Sequence, residues 1–250
     1  MNTTFTAQLL STDDGSLTLC HPHHGESYHS SQGALFESEE LYIKRSGLRE
    51  ALSQAQPLGI LDVGLGLGYN ALATISCWQQ AKNPPALHML SLEIDGVLFA
   101  AFLSGAAAWQ SCWPEAWRSW VRAVEQVGET RYTACFKHGH SATSLSWEIN
   151  LADAGVFLQA KTADKAFNFV WQDAFSPQHN PELWSVSWFT SVAKHCANDA
   201  ILMTYSVSRL VCENLSTAQW CWEKIPAAGK KRQWLLAKKN LALEFQTPLL

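Results

Sequence analysis

The stretch that most constrains the fold is Leu58-Gly-Ile-Leu-Asp-Val-Gly-Leu-Gly-Leu-Gly-Tyr-Asn70. Ile60–Val63 is a short apolar run of the length and residue type of a buried strand. Gly64, Gly66 and Gly68 follow at alternate positions, and Asn70–Trp78 then reads as a helix. Glycines at a strand-to-helix turn permit positive φ and let a ligand come close to the main chain. The dinucleotide fingerprint is G-x-G-x-x-G, whereas here an acid and one further residue lead into G-x-G-x-G. Strand, glycine turn and helix in that order predict an α/β domain on a largely parallel sheet.

Two acids downstream stand where such a sheet carries its ligands. Leu87–Glu93 reads as the second strand, and Glu93 falls 25 positions after Gly68. A carboxylate at that strand end accepts hydrogen bonds from ribose hydroxyls, so Glu93 and the glycine turn together predict an adenosine-containing ligand. Phe167-Asn-Phe-Val-Trp-Gln-Asp173 is a further apolar strand ending in an acid, followed by Phe175-Ser-Pro177 and by Asn180-Pro181, which opens a helix. Between them, Arg131–Phe136 reads as the third strand, with the polar His138-Gly-His-Ser-Ala142 after it. The chain then runs as strand Ala200–Tyr205, a helix to Gln219, and a hairpin of Cys221–Ile225 with Gln233–Ala237. Inside that hairpin Lys230-Lys231-Arg232 is the densest basic run, equally readable as a solvated loop or a phosphate contact.

Ahead of the glycine turn, Asp13-Asp14-Gly15-Ser16 predicts a hairpin between Thr6–Ser11 and Leu17–Cys20. Histidines 21, 23, 24 and 29 crowd the next segment; they lack a cluster of further ligands at metal spacing and read as a polar, pH-sensitive surface loop. A helix is expected over Glu39–Ala55, ended by Pro57. Asp95–Val127 reads as a long helical tract in which Trp109, Trp113, Trp117 and Trp120 share one face, a core or lid stripe. With 47% hydrophobic and 16% charged residues the chain is globular, and a net charge of −4 excludes a global electrostatic footprint for nucleic acid. Seven cysteines with no C-x-x-C predict reduced thiols and a cytoplasmic setting. No apolar run approaches membrane-spanning length and Met1–Ser11 lacks a secretory pattern, so no membrane contact is expected. The expected organisation is an N-terminal β and helix extension over 1–56, a main domain over 57–240 forming one compact unit with it, and a tail over 241–250.

The acid-led glycine turn resembles the first motif of class I S-adenosylmethionine-dependent methyltransferases. Gln172-Asp-Ala-Phe-Ser-Pro-Gln-His-Asn-Pro-Glu-Leu-Trp184 is similar to the D-G-F-x-P-x-x-N-P-x-x-W signature of the MnmC-like (MnmD) methyltransferases. The resemblance continues in Glu26–Ser30, Gly33–Glu37, Ser91–Glu93, Trp113–Glu115 and Gly229–Arg232, and covers roughly residues 13–238. It implies a Rossmann-like doubly wound fold and S-adenosyl-L-methionine as cofactor; from the histidine spacing no metal site is expected. It implies as acceptor the amine of 5-aminomethyl(-2-thio)uridine at the tRNA wobble position. Asp62, Gly64, Gly66, Gly68, Asn70 and Glu93 would serve the cofactor, with His140 where the acid after the third strand is expected. Asp173 would orient the amine, Tyr28, Phe175 and Pro177 would surround the base, and Lys230, Lys231 and Arg232 would meet anticodon phosphates. Many family members are fused to an FAD-dependent oxidase that makes the amine; no segment here is long enough for it, so a separate enzyme would supply the substrate. Besides His140, the chain departs from the pattern at Asp62, where bifunctional members carry Glu, and at Ala174, which replaces a glycine. A methyltransferase for a small molecule or another RNA site, and a non-catalytic domain that has lost the cofactor, stay open as alternatives.

Overall fold

The computed structural model describes residues 7–22, 24–162 and 167–239. The expected tail over 241–250, like His23 and the first residue of the Thr6–Ser11 strand, lies outside them. Strands β1 (Gln8–Ser11) and β2 (Leu17–Cys20) pair antiparallel as a separate hairpin. The remaining strands form one nine-stranded sheet. The chain enters it at β3 (Leu58–Val63), adds β4 (Leu87–Glu93) beside it and reaches β7 (Ser144–Leu151) on the far side of β4, all parallel. It then returns to the other side of β3 with β8 (Phe167–Gln172) and β9 (Cys196–Thr204), also parallel. Antiparallel strands finish both edges: β6 (Arg131–Lys137) and β5 (Glu125–Gln126) beyond β7, and β11 (Gln233–Lys239) and β10 (Trp220–Pro226) beyond β9. The strand order therefore reverses at β3 and β8, and open α/β sheets bind ligands beyond the carboxyl ends of the strands at such a point.

Burial on both faces explains the apolar strand sequences. Ile60, Met89, Trp147 and Trp171 face one core, together with Leu72, Ile75 and Trp78 of the helix Tyr69–Gln80. Leu61, Val63, Leu90, Leu92 and Val170 face the other, against Trp188, Phe189 and Val192 of the helix Val186–His195. By the same alternation Asp62 and Ser91 fall on the first face, where both are fully buried.

Three expectations are corrected. Arg131–Phe136 is not the third parallel strand but part of β6; the parallel strand is β7, paired with β4 from Leu87↔Leu145 to Glu93↔Leu151. β7 reads Ser-Leu-Ser-Trp-Glu-Ile-Asn-Leu, with polar residues at alternate positions, and so lacks the continuous apolar run of its neighbours. The tryptophan tract is not one helix: a helix over Gly96–Leu103, a 3₁₀ turn over Ala108–Cys112 and a helix over Glu115–Arg122 are separated at Gly105, with φ of 67°, and at Pro114. Trp109, Trp113 and Trp117 are nonetheless core residues, with Trp120 half-buried beside them. The helix expected over Glu39–Ala55 begins earlier, at Ala34–Glu37, widens into a π-helical stretch over Ser38–Lys44 and resumes at Leu48–Ala51. No helix among the described residues is long and apolar enough to cross a membrane.

Candidate active site

A cavity of about 480 Å³ opens at the carboxyl ends of the parallel strands. Each of the five contributes to its wall: Gly64–Leu67 after β3, Glu93 at the end of β4, Asp153 after β7, Asp173–Phe175 after β8 and Tyr205 after β9. Its size is that of a ligand pocket.

The glycine turn is shaped by its neighbours. Gly64, Gly66 and Gly68 have φ of 87°, 53° and 87°, the left-handed region that other residues avoid. A Cβ on Gly68 would lie 2.4 Å from the Phe102 ring, and one on Gly64 3.0 Å from the Asp173 carbonyl oxygen. A Cβ on Gly66 would only reach the Tyr28 ring, at 3.4 Å, so this glycine borders open cavity. The Gly66 amide donates to Glu93 Oε2 at 2.7 Å, and the Ile94 and Asp95 amides donate to Oε1 at 2.9 and 2.8 Å. Burial raises the Glu93 carboxyl pKa, with the three amides opposing it. A carboxylate has about four lone-pair sites, so Glu93 keeps one for a ligand, on Oε2.

Behind the turn, Asp62 is sealed from solvent and does not line the cavity. Ser91 Oγ donates to its Oδ2 at 2.7 Å, while Oδ1 has no hydrogen-bond partner among the described residues. Burial lifts this carboxyl to about 8; the Ser91 bond opposes that, and the nearby charges of Asp173 and Glu93 add to it.

Asp173 follows β8, and its amide donates to the Val63 carbonyl at 3.1 Å. Tyr42 Oη donates to Oδ1 at 2.8 Å and Asn70 Nδ2 to Oδ2 at 2.6 Å. Ser38 Oγ in turn donates to Asn70 Oδ1 at 2.6 Å, which fixes the amide's orientation. Ser38 and Tyr42 both belong to the π-helical stretch, a widened turn of the kind often found at functional sites. The carboxyl is lifted to about 7, first by burial and then by the charge of Glu37; Tyr42, Asn70 and Lys231 pull it back. The backbone beyond Asp173 is pinned at each step. Tyr205 Oη donates to the Ala174 carbonyl at 2.9 Å, Trp184 Nε1 to the Phe175 carbonyl at 2.7 Å, and the Ser176 amide to Glu26 Oε2 at 3.3 Å. Ala174 is buried with negative φ, so this path does not require the signature glycine.

The expected site residues divide accordingly. Gly64, Gly66, Glu93, Asp173, Tyr28, Phe175 and Lys231 line the cavity, whereas Gly68, Pro177, Lys230 and Arg232 do not. Asn70 holds Asp173 and does not line the cavity wall. Lys231 Nζ lies 3.7 Å from Glu37 Oε1 and 4.6 Å from the Tyr205 ring centre, while Lys230 pairs with Asp13 at 2.5 Å. His140 is a correction. It is exposed in the turn between β6 and β7, at the end of β7 opposite Leu151 and Glu93. The acid that follows the third parallel strand is Asp153, which lines the cavity and caps the helix Ala154–Ala160 by accepting from the Val156 amide at 2.9 Å. Sequence reasoning also missed the roles of Glu37 and Tyr42, which sit more than a hundred residues from Asp173 in the chain; Glu37 falls in the Gly33–Glu37 segment of the resemblance without a role attached, and Tyr42 carries no local signal. The histidine segment differs from expectation too: His21 and His24 are half-buried in the cavity wall.

The chain matches the model of a family of S-adenosyl-L-methionine-dependent methyltransferases over residues 115–240, half of its length. It is 32% identical over 223 residues to the tRNA 5-methylaminomethyl-2-thiouridine biosynthesis bifunctional protein MnmC of Azoarcus sp. (strain BH72), an alignment covering 85% of this chain and 32% of that protein. The protein of the same name from Acidovorax sp. (strain JS42) is 28% identical, with 86% and 33% covered. The chain thus spans about a third of the length of these curated relatives. Among solved structures, MnmC2 from Aquifex aeolicus superposes with a TM-score of 0.75 at 26% identity, covering 94% of this chain and 71% of that one. A probable spermidine synthase from Corynebacterium glutamicum ATCC 13032 shares the fold, with a TM-score of 0.52 at 13% identity, covering 94% and 76%. Fold, cavity and family match agree, and the chain belongs to this family of S-adenosyl-L-methionine-dependent methyltransferases.

Proposed function

We propose that this protein methylates the exocyclic amine of 5-aminomethyl(-2-thio)uridine at the wobble position of tRNA, a step consistent with the tRNA 5-methylaminomethyl-2-thiouridine biosynthesis for which its MnmC relatives are named. The observation that carries the reading is Asp173, an acid locked by Tyr42 and Asn70 in the same cavity wall as Glu93. The residues fit S-adenosyl-L-methionine. Gly66 leaves room for close approach to the backbone, Glu93 keeps an acceptor site for sugar hydroxyls, and Asp153 supplies an acid at the adenine end. When bound, the cofactor supplies a methyl group already activated on a sulfonium. What the protein adds is mostly alignment.

An alkylamine reaches the site largely as ammonium, and Glu26, Glu37 and Asp173 face the cavity against the single cation Lys231 among the described residues. That excess of carboxylates favours a cationic group. The ammonium releases one proton to solvent, Asp173 accepts a hydrogen bond from the neutral amine and aims its lone pair, and the positive charge passes to the methylated amine, while Phe175 walls the extruded base. The test is methyl transfer to tRNA carrying 5-aminomethyluridine. Wild type should be active, and Asp173→Ala should lose roughly 100-fold or more in kcat, the scale at which misplacement of a reacting group costs rate. Full activity of that variant would refute the role of Asp173, and an inert wild type would refute the acceptor.

A further inference from the structure

The histidine segment between β2 and the helix at Ala34 has a place that the methyltransferase reading leaves unused. His21 and His24 stack on each other with ring centres 4.2 Å apart, and each lies 5.0 Å from the Phe175 ring. Tyr28 meets Phe175 edge-on at 4.9 Å, and His179 lies 5.1 Å from His24. All five rings line the cavity and all are half-buried. Two distant pieces of chain build this wall, and Glu26 ties them together: its Oε2 pairs with His179 Nδ1 at 2.9 Å and accepts from the Ser176 amide at 3.3 Å. His21 is oriented in turn by the His24 amide, which donates to its Nδ1 at 3.2 Å.

A wall that served only stability would bury its rings, since half-exposed aromatics forfeit much of the gain from burial. Rings held rigidly but open to a cavity offer π-faces, and π-faces are what an unpaired nucleobase stacks on. We infer that His21, His24, Tyr28 and Phe175 form a stacking wall for a pyrimidine base of the RNA acceptor, with Glu26 and His179 as positioning residues. This rests on the acceptor proposed above and extends it. The amine is held at Asp173, and the ring that bears it is held by a surface half of which comes from the N-terminal segment.

The test uses an anticodon stem-loop RNA carrying 5-aminomethyluridine, with wild type, His24→Ala and His24→Phe. The His24 side chain makes no hydrogen bond among the described residues, and its ring contacts are with His21, Phe175 and His179, none of them assigned to the cofactor. Calorimetry with S-adenosyl-L-methionine should therefore give the same affinity for all three proteins, which also confirms folding. His24→Ala should raise KM for the RNA roughly 5- to 150-fold, the factor that corresponds to loss of one stacking partner for a base, with kcat within about twofold. His24→Phe, which keeps a ring, should recover most of the loss. An unchanged KM in His24→Ala, or a His24→Phe as weak as His24→Ala, would overturn the wall while leaving the acceptor intact. A wild type inert on this RNA would refute the acceptor. Fluorescence anisotropy with the same stem-loop then decides the wall separately: equal Kd for wild type and His24→Ala overturns it, and weaker binding by His24→Ala upholds it.

Discussion

Asp173 has its proton affinity set by competing neighbours, and the direction of each contribution can be tested. Burial and the Glu37 charge hold its carboxyl near 7, while Tyr42, Asn70 and Lys231 favour the ionised form. An acid with a raised pKa is ionised only above that pKa, and only the ionised form accepts a hydrogen bond at both oxygens. Methyl transfer should accordingly rise as pH passes upward through about 7. Glu37→Gln removes a raising charge and should move the acidic limb of the kcat/KM profile to lower pH, whereas Asn70→Ala should move it higher. A limb fixed in both variants would mean that the amine titrates instead. Asp62 allows a parallel test through stability. Its folded carboxyl titrates near 8, far above the unfolded value near 3.9, so the folded state binds a proton that the unfolded chain releases. The resulting contribution is greatest at low pH and is lost as pH rises between those values. Asp62→Asn removes that slope. Its Tm should gain on wild type between pH 5 and pH 8, by about 2–4 °C for each kcal/mol relieved. A gain that shrinks with rising pH would sink this account of Asp62.

At the scale of elements, the glycine turn separates stability from binding. Gly68→Ala sets a Cβ against Phe102 in a left-handed backbone conformation and should cost about 2–4 kcal/mol in urea unfolding, combining overpacking with strain. Gly66→Ala meets no atom closer than 3.4 Å, so its cost should stay near the roughly 1–2 kcal/mol of the φ alone while cofactor affinity falls. Equal stability losses would mean that the Phe102 contact does not decide. The turn, the strands β3, β4 and β8, and Asp173 were legible in the sequence because each couples a continuous apolar run to glycine or an acid. β7 was not, because polar residues occupy alternate positions and its pairing with β6 gives it the pattern of an edge hairpin. The single misplaced strand moved the expected cofactor acid from Asp153 to His140. Calorimetry separates the two: Asp153→Ala should weaken S-adenosyl-L-methionine about tenfold or more, in keeping with loss of roughly one hydrogen bond to a charged group, and His140→Ala should change nothing. The π-helical stretch was equally hidden, since Tyr42 acquires its role through a fold-level contact with the end of β8 and with Asp173.

For the whole molecule, a net charge of −4 means that attraction to the proposed RNA acceptor must come from a local patch. The basic run Lys230–Arg232 lies between β10 and β11, beside the cavity, yet two of its cations are engaged. Lys230 pairs with Asp13 and Lys231 with Glu37, whereas Arg232 has no ion-pair partner among the described residues. The Lys230–Asp13 pair is exposed on both sides and is worth at most about 1 kcal/mol, so a phosphate can displace Asp13 at little cost. Three phosphate contacts predict a slope of log K against log salt of about −2 for a single-stranded loop, shallow beside that of strongly basic RNA binders. Lys230→Ala and Arg232→Ala should each flatten the slope by about 0.7. Lys231→Ala should do this and more. Its ammonium is one of the groups that lower the Asp173 carboxyl, so its loss should also move the acidic limb of methyl transfer to higher pH, which Lys230→Ala should leave in place. In the proposed reaction, Lys231 is the point where RNA attraction and amine chemistry meet. If its removal changed the salt slope without moving the pH limb, the two would be independent and the electrostatic link between the basic loop and Asp173 would be wrong.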